Sequence, residues 1–472
     1  MAFSKKLSLF LLFSILTSLL NIPANAQRGI TYQQLANQQR EQNIFIDNFT
    51  LPGSQPETVR FVTTFRIDYN LLPFRKYDSP DEQKNFFSPV GMSIEIFRDP
   101  NPEADNRRRR DDFSVEGLEP VERSFWRDTA FAENYEQTKS KNKFITGRLD
   151  TELKPGGYSY ILQFTRGEEV DGRTSRKRYV KVLPYGEKKK GNIVLAETYR
   201  RDEGNSSYGT IDLLNFGENV YYGQDFFTLI HLPGYKASDS YSLEVNRVEV
   251  NDRDTTQVAT VHSASIQQTD ILEGSRPELT SSDGDQQLVL QNAPEGHTYA
   301  VVKIPNSQFM NAVYQIRVTK EEETSPVAET IFRSRWIEMP TSLLNVDVAI
   351  DMLRFIVDDQ TIREMKSGSN AEKEKKFRAF WEKRDPTPNT EYNELMAEYY
   401  RRIDHAYEQF STINVNGYNT DQGNIYIKFG PPENVNRKFP PGEPAVEVWE
   451  YPNRQFVFRA VSGFGEFKLV SD

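Results

Sequence analysis

Four histidines are present, His231, His262, His297 and His405, and no two of them fall at helical spacing, so the paired imidazoles of an HExxH-type zinc site are missing. Cysteine is absent, which removes disulfides, zinc–thiolate sites, iron–sulfur clusters and thiol nucleophiles together. No Gly-x-Ser-x-Gly elbow, Gly-x-Gly-x-x-Gly turn or phosphate loop occurs. Asp283-Gly284-Asp285 opens like a calcium loop but lacks the remaining ligands and the closing Glu, and it reads as a surface turn. Acidic residues are abundant, so a carboxylate pair of the glycosidase kind is the acid–base device that the composition leaves open. His405, beside Asp404, falls on the polar side of its helix and reads as solvated. The run Arg107–Arg110 is followed at once by Asp111 and Asp112, and reads as a solvated loop rather than a binding patch.

Three clusters near the C-terminus combine charge, aromatic rings and backbone breakers. They are Phe380-Trp381-Glu382-Lys383-Arg384-Asp385-Pro386-Thr387-Pro388, Gly417-Tyr418-Asn419-Thr420-Asp421-Gln422-Gly423, and Phe429-Gly430-Pro431-Pro432. Arg384 stands at a helix stop, where a guanidinium can bind exposed carbonyls and Asp385 can pair with it. Thr420 and Asp421 can bond the local backbone ahead of Gly423 in an Asx- or ST-type turn, launching a strand over Asn424–Phe429. Gly430-Pro431-Pro432 then ends that strand, since proline cannot donate to a ladder. These spaced motifs resemble the GWxTD-domain family of exported bacterial proteins over roughly residues 340–472. The position the family fills with Trp is Tyr418 here, which keeps a stacking ring and loses the indole N–H. The resemblance implies an envelope protein and no activity, because the family is best known as a domain of uncharacterised function. If the motif is a ligand site, it is expected around Arg384, Asp385, Tyr418, Thr420, Asp421 and Trp449, where charge and aromatic surface converge. No catalytic residue, metal ligand or cofactor is assigned.

The elements that would carry these residues follow from periodicity. Val59, Phe61, Thr63, Phe65, Ile67, Tyr69 and Leu71 alternate as a half-buried strand, and Met92–Phe97 repeats the pattern. Pro155-Gly156-Gly157 turns into a Tyr158–Phe164 strand that pairs with Tyr179–Leu183. Pro294-Glu295-Gly296 precedes Tyr299–Val302 and Tyr314–Val318, an echo that suggests a second closing hairpin. After Pro340 the period changes to 3.6: Ser369-Asn370-Ala371-Glu372 fits a capping box, and Thr390 is placed as the cap of a helix carrying Tyr392, Leu395, Met396, Tyr399, Tyr400, Ile403, Tyr407 and Phe410. The expected fold is multidomain and mainly β: two antiparallel β-sandwich-like domains at 58–187 and 191–336, then an α+β domain at 340–472 with helices preceding a small antiparallel sheet. Residues 27–57 are expected as an extended lead-in.

The first 26 residues are expected to be a cleavable signal peptide. Lys5 and Lys6 precede the apolar run Leu7–Leu20, and Ala24-Asn25-Ala26 offers the cleavage site. No later stretch is apolar enough to span a bilayer. The net charge of −10 argues against nucleic acid as a partner, since phosphates require a basic footprint. The expectation is therefore an exported protein, periplasmic or extracellular or peripheral to the outer membrane. Its expected role is non-catalytic binding or assembly, with another envelope protein or a surface polymer as partner. The competing expectation is a hydrolase of envelope glycan or peptide using carboxylates of the C-terminal domain.

Overall fold

The computed structural model describes residues 30–471 apart from 39–42, 79–80, 100–114, 116, 168–172, 176, 188–189, 203–206, 252–253, 283, 322 and 462–465. The expected signal segment, the Arg107–Arg110 run and Asp283 lie outside the described residues. The architecture is mainly β, with antiparallel sheets followed by helices and then a small antiparallel sheet. It divides into two compact units. One holds residues 41–338 with 389–392, and the other holds the residues before 41 with 339–388 and 393–472.

In the β unit, Ile44–Pro52, Val59–Asp68 and Phe144–Leu153 form a three-stranded antiparallel sheet in that order. The stretch expected as an extended lead-in thus contributes a nine-residue paired strand, and a helix over Tyr32–Gln38 belongs to the other unit. The central strand Val59–Asp68 is buried along both faces, not one. A second sheet is built on Phe86–Arg98, which pairs with Glu122–Ala132, with Gly156–Arg166 and with Arg75–Lys76. Gly156–Arg166 pairs in turn with Arg178–Val182, the first expected hairpin.

Six further strands close a barrel in the order Ile193–Arg201, Ser207–Leu213, Asp285–Asn292, Ile271–Ser282, His297–Ile304 and Phe226–His231. Alternation gives each strand two faces. Ile211, Leu229, Leu288, Leu290 and Tyr299 share a core with the first two sheets. Phe226, Ile230, Ala300, Val302 and Ile304 pack on a five-stranded sheet containing Tyr241–Asn251, Val313–Lys320 and Ala328–Arg335. The second expected hairpin is therefore absent: His297–Ile304 lies in the barrel and Val313–Lys320 in the sheet covering it. The repeated Pro/Gly turn before a Tyr-led strand marks a local turn, not a repeated module.

In the other unit, helices Val346–Met352, Asp359–Lys366, Asn370–Glu382 and Glu394–Phe410 enclose one core, and Asp421–Phe429 bridges it to a four-stranded sheet of Asn434–Lys438, Val446–Tyr451, Arg454–Ala460 and Phe467–Ser471. The expected strand at Asn424–Phe429 is a helix. Ile425 packs with Trp449, Phe456 and Phe458 of the sheet, while Ile427 packs among the other helices. Two residues apart on a helix are about 200° apart around its axis, so a helix buried on opposite sides shows a strand-like alternation. The long helix starts at Glu394, capped by Asn393 rather than Thr390. Asn393 Oδ1 accepts the Met396 N–H at 2.8 Å and its Nδ2 donates to the Trp381 carbonyl at 3.0 Å, tying one helix end to the next helix start. The stripe led by Ile403 faces the other helices; only its last residue, Phe410, also reaches the sheet.

Candidate functional site

The three C-terminal motifs are placed by the elements just described. The helix Asn370–Glu382 begins at the expected capping box, in which the Ser369 N–H donates to the Glu372 carboxylate at 2.7 Å. At its far end the Arg384 guanidinium donates to the Phe380 carbonyl at 2.7 Å and lies over the Phe380 ring, 3.8 Å from its centroid. Asp385 accepts the Thr387 N–H at 2.9 Å and so fixes the turn that follows. Arg384 is exposed and Asp385 half-buried. The two stand side by side, but each bonds its own backbone neighbourhood.

Tyr418 is buried. Its ring stacks on Tyr407 with centroids 6.0 Å apart and meets Tyr32 edge-on at 5.3 Å, and its hydroxyl accepts from Asn416. Thr420 Oγ1 donates to the Gly417 carbonyl at 2.7 Å and accepts the Gly423 N–H at 3.0 Å, capping the helix Asp421–Phe429. Asp421 Oδ2 accepts the Leu469 N–H at 2.9 Å, which fastens the helix start to the last strand. The motif glycines are demanded by close approach: a Cβ at Gly417 would overlap the Ala406 carbonyl, and one at Gly423 would overlap the Gly417 carbonyl. Gly430, at φ +81°, ends the helix in left-handed backbone, and its carbonyl accepts the Tyr451 hydroxyl at 2.8 Å.

Trp449 belongs to a different cluster, the sheet side of the unit. Its indole N–H donates to Glu447 at 2.6 Å; Gln422 donates to the same carboxylate oxygen at 3.2 Å, and Arg437 to the other at 2.6 Å. Glu447 is 2% exposed. The structure therefore joins Thr420 and Asp421 to Trp449 across one helix–sheet junction, through Gln422 and Glu447 and through Ile425 packed on Trp449. It places Tyr418 in the neighbouring helical core, and sets Arg384 and Asp385 at the end of another helix. The expected convergence of charge and aromatic surface is not formed.

Glu447 escaped the sequence reading because the pattern Val446-Glu447-Val448-Trp449 suggests a valine face inward. The usable signal was Trp449 and Tyr451 on the Glu447 face of the strand. Two other residues of this unit were missed. Asp404 accepts the Tyr32 hydroxyl at 2.6 Å and the Thr341 N–H at 2.9 Å, fastening the helix Tyr32–Gln38 to the helical core. His405, expected on the solvated side, stacks on Tyr426 with centroids 4.2 Å apart, and burial holds its imidazole below the ordinary value. In the β unit, His231 and His297 do meet, with ring centroids 5.5 Å apart around Tyr185, although nothing in their spacing shows it.

Two expectations follow from this geometry. Alanine is the better helix former than glycine by about 1 kcal/mol, yet Gly423→Ala should destabilise by about 2 kcal/mol, because the new methyl meets a carbonyl oxygen fixed by its own turn. A urea midpoint that rises instead would show the contact is soft. Burial, opposed by the bonds from Tyr32 and Thr341 and reinforced by Glu408, raises the Asp404 carboxyl to about 6 from an ordinary 3.8. The folded state then binds the Asp404 proton more tightly than the unfolded chain does. Stability from this group is complete below pH 4 and is lost as pH rises towards 6, by up to about 3 kcal/mol. Asp404→Asn should flatten the stability profile between pH 4 and 6.5; a variant with the wild-type slope would place the titration elsewhere.

Residues 319–465 match the family model of the GWxTD domain, in agreement with the C-terminal resemblance. No curated protein matches the chain. Among solved structures it is similar to one described as "Biofilm associated protein - BSP domain", with 10% identity, a TM-score of 0.15, and coverage of 64% of this chain and 54% of that one. The chain thus spans about half the length of that neighbour. Among the described residues no helix is long and apolar enough to cross a membrane.

Proposed function

We propose that this protein is exported, processed after Ala26, and acts as a non-catalytic binding or assembly component of the bacterial envelope. The observation that carries the reading is where the motif spends its polar groups. The Thr420 hydroxyl, the Asp421 and Glu447 carboxylates and the Trp449 indole all bond groups of the same unit, and the bonds of Asp421 to Leu469 and of Gln422 to Glu447 tie the helix to the sheet. An acid–base pair needs carboxyl groups directed at a substrate, whereas Asp421, Glu447 and Asp404 each accept donors from within the fold.

Surface for recognition lies instead on the β unit. The strand Glu122–Ala132 directs Phe125 and Phe131 outward, 77% and 36% exposed. Phe131 sits near Tyr77, with centroids 6.4 Å apart, beneath the Lys84 ammonium, and Phe87 pairs across from it. Aromatic residues gathered on an exposed face favour partner contact over solvent. The test uses mature protein carrying Phe125→Ser with Phe131→Ser, compared with Gly423→Ala. Association with isolated envelope fractions should fall at least tenfold in the first variant with its melting temperature unchanged. Turnover of peptidoglycan or another envelope polymer by the wild type would overturn the proposal.

A further inference from the structure

Two of the described residues other than glycine hold left-handed backbone, Asn215 at φ +48° and Glu218 at φ +60°. Both line the same crevice of about 50 Å³ in the β unit, together with Asp47, Asn48, Thr64 and Thr330. Asn215 is 3% exposed. Its amide nitrogen donates to the Leu213 carbonyl at 3.2 Å, while its Oδ1 is buried with no hydrogen-bond partner among the described residues. Buried amide oxygens are rarely left so, because water is lost and nothing replaces it. Beside it, Asp47 accepts the backbone N–H groups of Gly217 at 2.7 Å and Glu218 at 2.6 Å, one on each carboxylate oxygen. The carboxylates of Asp47 and Glu218 act on each other as like charges, with Arg178 as the cation that offsets Glu218.

The residues that line this crevice include two carboxylates and no lysine, arginine or histidine. Its volume is far below the several hundred Å³ of pockets for organic ligands, so the occupant is an ion or a few waters. A water can donate to Asn215 Oδ1, but it leaves the two carboxylates opposed. A cation satisfies all three groups at once. We propose that the crevice binds a single hard divalent cation of the calcium type, held by Asn215 Oδ1, Asp47 and Glu218. The hydroxyls of Thr64 and Thr330 and bound water are available to complete the shell. The donors are amide, carboxylate and hydroxyl oxygens, a mixed set that suits the variable coordination of calcium better than the strict octahedron of magnesium. The walls contributed by Leu195 and Leu214 limit water and strengthen each ion–oxygen contact.

The experiment titrates chelator-treated mature protein with calcium chloride, then with magnesium chloride, by calorimetry and by thermal melting. One calcium site per chain is expected, with binding at least tenfold tighter than magnesium and a melting temperature several degrees higher at saturation. Glu218→Gln should weaken calcium binding at least tenfold while keeping the calcium-free melting temperature. Asn215→Asp, which adds charge at the unpartnered oxygen, should tighten it. The proposal is overturned if the wild type shows no calcium heat and no thermal shift at millimolar ion, the result expected of a crevice that holds water only. It is equally overturned if calcium binds but Glu218→Gln and Asn215→Asp leave the affinity unchanged.

Discussion

Arg66→Ala should lower the unfolding free energy of the β unit by about 3–5 kcal/mol, the range for breaking a buried ion pair by removing one partner. Arg66 is 1% exposed. Its Nε lies 2.9 Å from Asp68, itself buried, and its two terminal nitrogens donate to the Tyr221 hydroxyl at 2.6 Å and the Lys141 carbonyl at 3.2 Å. The guanidinium lies over Phe144 at 3.9 Å and near Phe216 at 4.8 Å, so charge, hydrogen bonds and ring contacts act together. Removing it takes the bonded guanidinium from the buried Asp68 carboxylate and leaves Arg335 as a cation that still acts on it. Two further variants separate the causes. Arg66→Lys keeps the charge but cannot reproduce the planar fork, and should lose roughly half as much. Arg66→Met with Asp68→Asn removes the buried carboxylate's charge as well and should recover part of the loss seen in Arg66→Met alone. Urea unfolding at pH 7 decides the matter: a loss below about 1 kcal/mol for Arg66→Ala would mean that water reaches the pair.

That residue also shows where the sequence was readable and where it was not. The alternation from Val59 to Ile67 identified the strand and its apolar face, whereas Tyr69 and Leu71, expected to continue it, lie in a 3-10 turn beyond its end at Asp68. It placed Arg66 on the other side, which in a half-buried strand would be solvent. The strand is central to a three-stranded sheet whose second face is also covered, and no local pattern reports what another segment will lay over a strand. The same limit explains the helix at Asp421–Phe429. Thr420, Asp421 and Gly430 carry ordinary helix start and stop chemistry, but Ile425 and Ile427 face two different cores and imitate a strand. The capping box at Ser369 was legible because its partners lie within four residues. The motif residues were legible as architecture at Thr420, where the bonding is local, and illegible at Asp421 and Trp449, whose partners Leu469 and Glu447 are set by the fold or by strand facing.

Close packing between helices follows the same logic. The long helix was recognised from its large apolar residues, yet two of its most buried positions are Ala397 and Ala406, both 0% exposed. Ala406 is where the backbone turn at Gly417 comes nearest. Small residues carry weak apolar signals, while their positions determine how near two backbones can come. Leu395 carries a strong signal and is 48% exposed. Counting side-chain size identified the helix and blurred its inner face.

Ile403→Asp tests that inner face, and should cost about 4 kcal/mol or more. Ile403 is 0% exposed in a core formed with Tyr399, Tyr400, Ala406, Phe377, Trp381 and Leu353. The substitution removes a branched apolar side chain and puts a carboxylate where water is excluded, and both changes act against the folded state. The neighbouring tyrosines offer no relief, because the Tyr399 hydroxyl is committed to the Met352 carbonyl at 2.6 Å and the Tyr400 hydroxyl to the Ala349 carbonyl at 2.7 Å. Leu395→Asp on the same helix is the matched control: it adds the same charge near the helix start, where a carboxylate is tolerated, and should change stability by no more than about 0.5 kcal/mol. Because the two units are compact separately, the loss in Ile403→Asp should appear as early melting of the C-terminal helices, with the β unit unfolding at its wild-type temperature. Hydrogen exchange resolved by segment reads both at once. Equal effects for the two substitutions, or unchanged protection over Glu394–Phe410 in Ile403→Asp, would place the buried face of this helix somewhere else.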